Sequence, residues 1–194
     1  VVAAAFGKPL ASLPAALPAD PVAEAWCDAW LAECGIERFV LINPGAGWGA
    51  KRWPADRYAA VAAELAERGY ATIVNVGPGE SALAEVVCGN KDARSFMMTG
   101  SIGQLIACTR RASLFIGGDT GPLHLAAALK VPVVGIYGPT DPARNGPYGT
   151  RSRVLRHPAS RRDHSRKNEP EAGLLTITAR DVIVAAQQLF VEQA

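Results

Sequence analysis

The chain has 194 residues, 49% of them hydrophobic, and its 20 basic and 18 acidic side chains leave a formal net charge of +2. This length and composition predict one globular domain with enough apolar material for a core. The small net charge excludes a surface built as a whole for nucleic acid or anionic lipid, so electrostatic recognition must be local.

The four cysteines are scattered along the chain, with no C-x-x-C pair and no histidine at ligand spacing. This pattern predicts neither a zinc site nor a disulfide framework, and we expect no metal. No apolar run approaches the ~18 residues that a membrane-spanning helix needs. We therefore expect reduced core cysteines in a chain that does not cross a membrane.

The first 35 residues predict a linker and a leading helix. Residues 1–20 are rich in proline and alanine, which indicates a linker or an edge segment. Residues 22–34 place Trp26 and Trp30 at helical spacing and end before Gly35. The main domain is then predicted over residues 36–194.

From residue 36 onward, strand-like and helix-like segments alternate. The predicted strands are 39–43, 72–76, 95–98, 113–117 and 131–137. The predicted helices are 56–68, 80–89, 101–111, 121–129 and 179–192, the last capped by Thr178. This alternation is typical of right-handed βαβ units, so we predict an α/β fold with a Rossmann-like parallel sheet flanked by helices.

Ligands of such sheets bind beyond the carboxyl ends of the strands, so the loops after the strands are the candidate site. The first loop, NPGAGWGAKRWP, spans residues 43–54. Gly45, Ala46 and Gly47 would let backbone amides approach a ligand, and Lys51 supplies a mobile cation for phosphate. The alternative is a flexible loop with a solvated basic pair, Lys51 and Arg52.

The second loop, VNVGPGESA, covers residues 74–82. Gly77, Gly79 and Ala82 satisfy the G-x-G-x-x-A dinucleotide pattern, but the acidic residue expected about 20 positions later is missing. Glu80 stands at the entry of the next helix. It is placed either to accept hydrogen bonds from ribose hydroxyls or merely to complement the helix dipole.

The third loop, TGSIGQ, covers residues 99–104 and opens a helix with Ser101 as the predicted N-cap. Gly100 and Gly103 leave room there for a flat ring. Two glycines near a cap are also common for structural reasons alone, so an adenine slot at this position is one of two interpretations.

The fourth loop enters the helix of GGDTGPLHLAAAL, residues 117–129. The backbone amides of Thr120 and Gly121 would face a ligand above the helix, which favours a diphosphate. Asp119 either caps the helix or receives a hydroxyl-rich group attached to that phosphate. His124, one turn into the helix, has a core or capping role as its alternative. A nucleotide-diphospho-sugar contains both the diphosphate and the hydroxyl-rich group that this loop suits.

These motifs, followed by YGPTDPARNGPYG, resemble in their order the C-terminal half of lipopolysaccharide heptosyltransferases of glycosyltransferase family 9. The resemblance covers about residues 36–150. It implies the C-terminal, donor-binding domain of a GT-B glycosyltransferase, in which two Rossmann-like domains face a cleft. The donor would be ADP-heptose, with no cofactor.

The resemblance also implies roles for single residues. Lys51 would contact the donor phosphates and stabilise the leaving group, and Glu80 would contact the ribose. The strip around Gly100 would hold the adenine. The remaining donor-binding residues would be the first-loop amides, the helix start with its carboxylate, and the nearby imidazole: Gly45, Ala46, Gly47, Asp119, Thr120, Gly121 and His124.

The family's N-terminal domain, which binds the acceptor and supplies the proposed general base, has no counterpart in these 194 residues. We therefore expect the isolated chain to be inactive. The complete enzyme would transfer heptose, with inversion, to the lipid A-Kdo inner core of lipopolysaccharide. The Asp-Thr-Gly sequence and the GPTDPARNGPYG loop favour heptosyltransferase I over II. We also expect a cytoplasmic location, with peripheral association with the inner membrane.

Two other classes of function stay open from the residues alone. A dinucleotide-dependent oxidoreductase would use Gly77 and Gly79, and a non-catalytic nucleotide-binding module would use the same loops without chemistry. The basic segment RHPASRRDHSRKNEP, residues 156–170, is interpreted as a solvated loop. Its alternative is a surface that attracts an anionic lipid-linked acceptor.

Overall fold

The structure is a computed structural model that describes residues 16–192. The predicted linker therefore lies mostly outside the described residues. Six parallel strands form one sheet in the order β3-β2-β1-β4-β5-β6. The strands are β1 (Phe39–Asn43), β2 (Ala71–Asn75), β3 (Ser95–Met98), β4 (Leu114–Gly118), β5 (Val133–Tyr137) and β6 (Ser152–Arg156).

Helices cover both faces of this sheet. They are α1 (Pro21–Glu33), α2 (Ala55–Glu67), α3 (Ser81–Cys88), α4 (Ile102–Arg111), α5 (Gly121–Ala128), α6 (Pro142–Asn145) and α7 (Ala179–Val191). The α/β class with a Rossmann-like parallel sheet is confirmed. The predicted caps at Ser101 and Thr178 also form, each as a reciprocal capping box.

Two apolar layers sandwich the sheet. The strands β1, β4 and β5 are buried along their whole length, which explains why their sequences read as continuous apolar runs. The core on one face packs against α2, α3 and α7 and contains Trp53 and Tyr58. The core on the other face packs against α1, α4 and α5 and contains Phe115 and Tyr137.

The leading helix α1 packs against α4 and contributes to the second core layer. Asp20 caps it by accepting a hydrogen bond from the Val22 amide at 3.0 Å. Two of the scattered cysteines meet at this contact, because the buried Cys27 and Cys108 sulfurs lie 3.2 Å apart. Sequence spacing does not reveal this pair, since the two thiols belong to different helices.

Two elements were not predicted from the sequence. The strand β6 has the sequence SRVLR and is partly exposed along its length. Among the described strands it pairs only with β5, at the edge of the sheet, so it needs no continuous apolar run. The short helix α6 is capped by Asp141, whose carboxylate accepts from the Ala143 amide at 2.9 Å.

Within residues 16–192, none of the helices combines the length and the apolar character that a bilayer crossing requires.

Candidate functional site

The carboxyl edge of the sheet carries a cavity of about 560 Å³. It lies where the strand order reverses between β1 and β4, which is the usual ligand position in doubly wound sheets. The loops after β1, β2, β3 and β4 all contribute to its wall. The lining residues are Asn43, Gly45, Ala46, Gly47, Asn75, Val76, Gly77, Glu80, Gly100, Ser101, Ile102, Leu105, Thr120, Gly121, Pro122 and Leu125.

Most of the sequence-predicted donor residues meet in this cavity. Seven of them line it: Gly45, Ala46, Gly47, Glu80, Gly100, Thr120 and Gly121. The other three form a separate polar cluster, in which Lys51 and His124 each bond to Asp119. Because Asp119 directly precedes Thr120, this cluster adjoins the cavity at the start of α5.

Two asparagines at the cavity were missed by the sequence analysis. Asn43 and Asn75 are the last residues of β1 and β2. The Asn75 side chain donates to Asn43 Oδ1 at 2.6 Å, and Asn43 Nδ2 donates to the Gly45 carbonyl at 3.0 Å. This amide chain fixes the first loop relative to the second. The available signal was an asparagine at the end of two apolar strands.

The Glu80 side chain extends from the second loop to Gly45 in the first loop. Its carboxylate accepts a hydrogen bond from the Gly77 amide at 3.0 Å. It also lies so close to the Gly45 Cα that a side chain at position 45 would collide with it. The carboxylate is thus oriented by its own loop while it lines the cavity.

The side of the cavity near Gly100 is largely apolar. Val76, Ile102, Leu105 and Leu125 contribute aliphatic surface. Ser101 accepts from the Gln104 amide at 3.2 Å, and Gln104 returns a bond to the Ser101 amide at 2.8 Å. A rigid, apolar wall beside a glycine suits a flat ring. These aliphatic residues read as ordinary helix and strand positions in the sequence, so no signal identified them.

The N-terminus of α5 also lines the cavity. The Thr120 hydroxyl donates to the Gly118 carbonyl at 3.3 Å and makes no capping bond to the helix. The first amides of a helix have no intrahelical acceptor, so this end carries donors and a partial positive charge. Pro122 lies in the first turn, where its missing N–H costs no helical bond. The arrangement is suited to an anion.

The polar cluster beside the cavity is centred on Asp119. The Lys51 ammonium donates to Asp119 Oδ2 at 2.8 Å and to the Asp119 carbonyl at 3.1 Å. His124 Nε2 lies 3.1 Å from Asp119 Oδ1. The side chains of Lys51 and Asp119 are 15% and 6% exposed, whereas that of His124 is 46% exposed, so His124 is not a core residue.

The environment of Asp119 stabilises its charged form. Burial by itself raises the pKa of this carboxyl, but the bonds from His124 and Lys51 oppose burial and hold the pKa well below its usual range. The buried Thr140 hydroxyl interacts with the same carboxylate, although without a hydrogen bond of standard geometry. Asp119 is therefore an anion that can only accept hydrogen bonds.

Lys51 is further positioned by the Trp48 indole, whose centroid lies 4.5 Å from the ammonium nitrogen. The adjacent Arg52 points elsewhere and donates to the Ala46 carbonyl at 3.1 Å. Thus two neighbouring cations have different tasks, because one faces the polar cluster and the other braces the first loop.

Among the described residues, no three histidine, cysteine or acidic side chains gather in a group that could hold a metal ion. The polar groups that the site presents are amides, one ammonium group, an imidazole and carboxylates.

The doubly wound sheet, its cavity at the reversal point and the uncapped helix start define a Rossmann-like domain of the nucleotide-binding type. Residues 2–174 match the sequence profile of Glycosyltransferase family 9 (heptosyltransferase). The chain belongs to this family.

Individual relatives agree with this assignment. Lipopolysaccharide heptosyltransferase 3 of Escherichia coli K12 is 31% identical over 166 residues, which are 81% of this chain and 48% of that protein. A glycosyl transferase family 9 structure from Veillonella parvula is 28% identical with a TM-score of 0.79, covering 91% of this chain and 53% of that one. The chain spans about half the length of the curated relative.

A further solved structure, E. coli ADP-heptose lps heptosyltransferase II, has the same fold with a TM-score of 0.83 at 21% identity. The similarity covers 97% of this chain and 57% of that one. The numbered names of these relatives, 3 and II, do not include type I, and the preference for type I stays a prediction.

Proposed function

We propose that this chain binds the ADP portion of ADP-heptose in the cavity at the carboxyl edge of the sheet. The observation that carries the proposal is the convergence of Glu80, Gly100 and the α5 N-terminus in one cavity. Glu80 would accept from the ribose hydroxyls, the apolar wall beside Gly100 would hold the adenine, and the amides at Thr120 and Gly121 would bind the diphosphate.

The polar cluster would contact both sides of the bond that breaks, which joins the donor sugar to the diphosphate. Asp119 can only accept hydrogen bonds, which suits the hydroxyl groups of a sugar next to the diphosphate. Lys51 is bonded to Asp119 and would share its ammonium with the phosphates. This cation and the helix N-terminus would stabilise the charge that grows on the ADP leaving group.

For the whole protein, we propose inverting transfer of heptose to the inner core of lipopolysaccharide. The family membership and the relatives named lipopolysaccharide heptosyltransferase support this reaction. The acceptor, a lipid A-Kdo precursor, would bind to an N-terminal domain outside these 194 residues. That domain would also supply the general base. A type I reaction, a cytoplasmic location and peripheral contact with the inner membrane complete the proposal.

Calorimetric titration of this chain with ADP tests the donor site. We expect weak but saturable binding, because the donor loops are present without a second domain to close over them. Titration with NADH is the comparison. Binding of NADH tighter than ADP, or no heat with ADP on folded protein, would contradict the proposal.

A further inference from the structure

A basic strap, defined here as residues 157–171, follows β6 and lies at the carboxyl edge of the sheet. The cavity occupies the same edge. The strap contains Arg161, Arg162, Arg166 and Lys167, whose side chains are all exposed. These four basic side chains are thus solvated, as the sequence interpretation expects, and the question is whether the backbone of the strap is also free.

The backbone of the strap is bonded to the site loops. The Lys167 carbonyl accepts from the Ala50 amide at 2.9 Å, and the Glu171 amide donates to the Ala50 carbonyl at 3.2 Å. The Asp163 amide donates to the Pro139 carbonyl at 3.0 Å. These bonds hold the strap against the first loop and against the loop after β5.

Position 49 shows how tight this contact is. A Cβ at Gly49 would collide with the backbone carbonyl of Asn168. The strap and the first loop therefore approach at a distance that only glycine permits. Because the contact involves backbone on both sides, the fold fixes where the cations of the strap are displayed.

Only some of these cations are neutralised within the domain. Arg162 is paired with Asp141, and Lys167 is paired with Asp163 at 3.0 Å. Arg161 and Arg166 form no ion pair with any described residue. A guanidinium without a carboxylate partner keeps all its N–H donors for an external anion, and its planar fork matches phosphate.

Arg166 is also linked to the polar cluster through Trp48. Its guanidinium carbon lies 5.5 Å from the indole centroid, and the Lys51 ammonium lies 4.5 Å from the same centroid. His164 packs edge-on against this ring, with centroids 5.9 Å apart. Trp48 thus connects the strap to the residue that holds Asp119.

We propose that the basic strap binds phosphate groups of a phosphorylated saccharide acceptor through Arg161 and Arg166. This inference rests on the proposed function, because it takes the donor sugar to lie at Asp119. An acceptor must approach that sugar from outside the nucleotide cavity, and the strap is the cationic surface joined to Asp119 by way of Lys51 and Trp48. The two guanidinium groups would bind and orient the acceptor without taking part in the chemical step.

The test uses this chain and co-sedimentation with phosphatidylcholine vesicles that contain diphosphorylated lipid A. A second set contains phosphatidylglycerol at the same phosphate content. We expect preferential binding to the lipid A vesicles. The double variant Arg161→Ala/Arg166→Ala should bind them about ten- to a hundredfold more weakly, while its affinity for ADP is unchanged.

Arg38→Ala/Arg68→Ala is the matched control, since it removes the same charge from the opposite edge of the sheet. Arg38 lies over the Tyr70 ring at 4.9 Å, as Arg166 lies over Trp48, and Arg68 is exposed. This control should bind lipid A vesicles like the parent chain. An equal loss in both double variants would show a general charge effect and overturn the proposal.

Two further outcomes would also overturn it. Equal binding to both vesicle types would show that the strap responds to membrane charge and not to saccharide phosphate. Absence of binding to lipid A vesicles by the parent chain would remove the acceptor role altogether. Failure of the donor site is a separate result, because it would appear as a loss of ADP binding with lipid A binding retained.

Discussion

The Lys51 ammonium lies 2.8 Å from the Asp119 carboxylate, across 68 positions of the sequence. This bond joins the first glycine-rich loop to the start of α5. It also joins the residue predicted to contact the donor phosphates to the residue predicted to contact the donor sugar. Both groups are largely buried, so the pair is only weakly screened by solvent.

Replacement of Lys51 tests its phosphate role. If the ammonium contacts the diphosphate, Lys51→Ala should weaken ADP binding by about ten- to a hundredfold, as expected for a charge-assisted hydrogen bond. Adenosine binding should change little, because adenosine has no phosphate. Calorimetry with both ligands gives the comparison.

The exposed Lys91 supplies the control for this experiment, since Lys91→Ala removes a cation remote from the cavity lining. Arg52→Ala is less suitable, because Arg52 braces the Ala46 carbonyl in the cavity wall. Equal weakening of ADP and adenosine by Lys51→Ala, or none for either, would indicate that Lys51 is purely structural.

Replacement of Glu80 tests whether its carboxylate contacts the ribose or only complements the helix dipole. Glu80→Ala should weaken adenosine and ADP alike, by about tenfold or more, because both ligands carry the ribose that the carboxylate would accept from. Inorganic pyrophosphate lacks a ribose and should bind as before. The exposed Glu85 on α3 gives the matched variant, Glu85→Ala. Unchanged adenosine binding would leave Glu80 with a role at the helix start alone.

Replacement of Gly49 tests whether the contact between the first loop and the strap contributes to stability. Gly49→Ala forces a Cβ into the Asn168 carbonyl, and relief of that overlap requires backbone movement. We expect a loss of about 1–3 kcal/mol in the free energy of unfolding, measured in urea, together with faster tryptic cleavage in residues 157–171. Gly47→Ala is the control for stability, because nothing lies within 4 Å of a Cβ at that position. Similar stability of the two variants would contradict the close contact.

The lowered pKa of Asp119 predicts a pH-dependent contribution to stability. A carboxyl whose pKa is lower in the folded than in the unfolded chain stabilises the fold above its unfolded value of about 3.8. That contribution is lost as the pH falls below this value, because the folded chain then resists a proton that the unfolded chain takes up. The urea-derived stability difference between the parent and Asp119→Asn should therefore shrink from pH 6 towards pH 3, with ~1.5–3 kcal/mol at the upper end.

Asp141→Asn provides the comparison for that series, because Asp141 also has a lowered pKa but is more exposed than Asp119, beside the exposed Arg162. Its difference from the parent should be smaller at every pH, since exposed pairs are screened by water. If the stability difference between the parent and Asp119→Asn stays constant with pH, the carboxylate charge is not what stabilises the cluster.

Local sequence was sufficient for most of the fold. The five predicted strands and six predicted helices form within a few residues of their expected bounds, because buried parallel strands demand apolar runs and helix starts carry recognisable caps. The edge strand β6 escaped prediction since an edge strand is half solvated and tolerates a basic, alternating sequence. Glycines at the strand ends likewise identified the loops of the site.

Tertiary structure alone decided which polar groups meet. The bonds from Lys51 to Asp119, from Asn75 to Asn43 and from the strap to Ala50 join segments that no local pattern connects. Their side chains and amides could each have been satisfied by water, so the sequence left their partners open. Folding the sheet brings the loop ends to one edge and excludes water there, and the buried groups must then bond to whichever loop the topology places beside them.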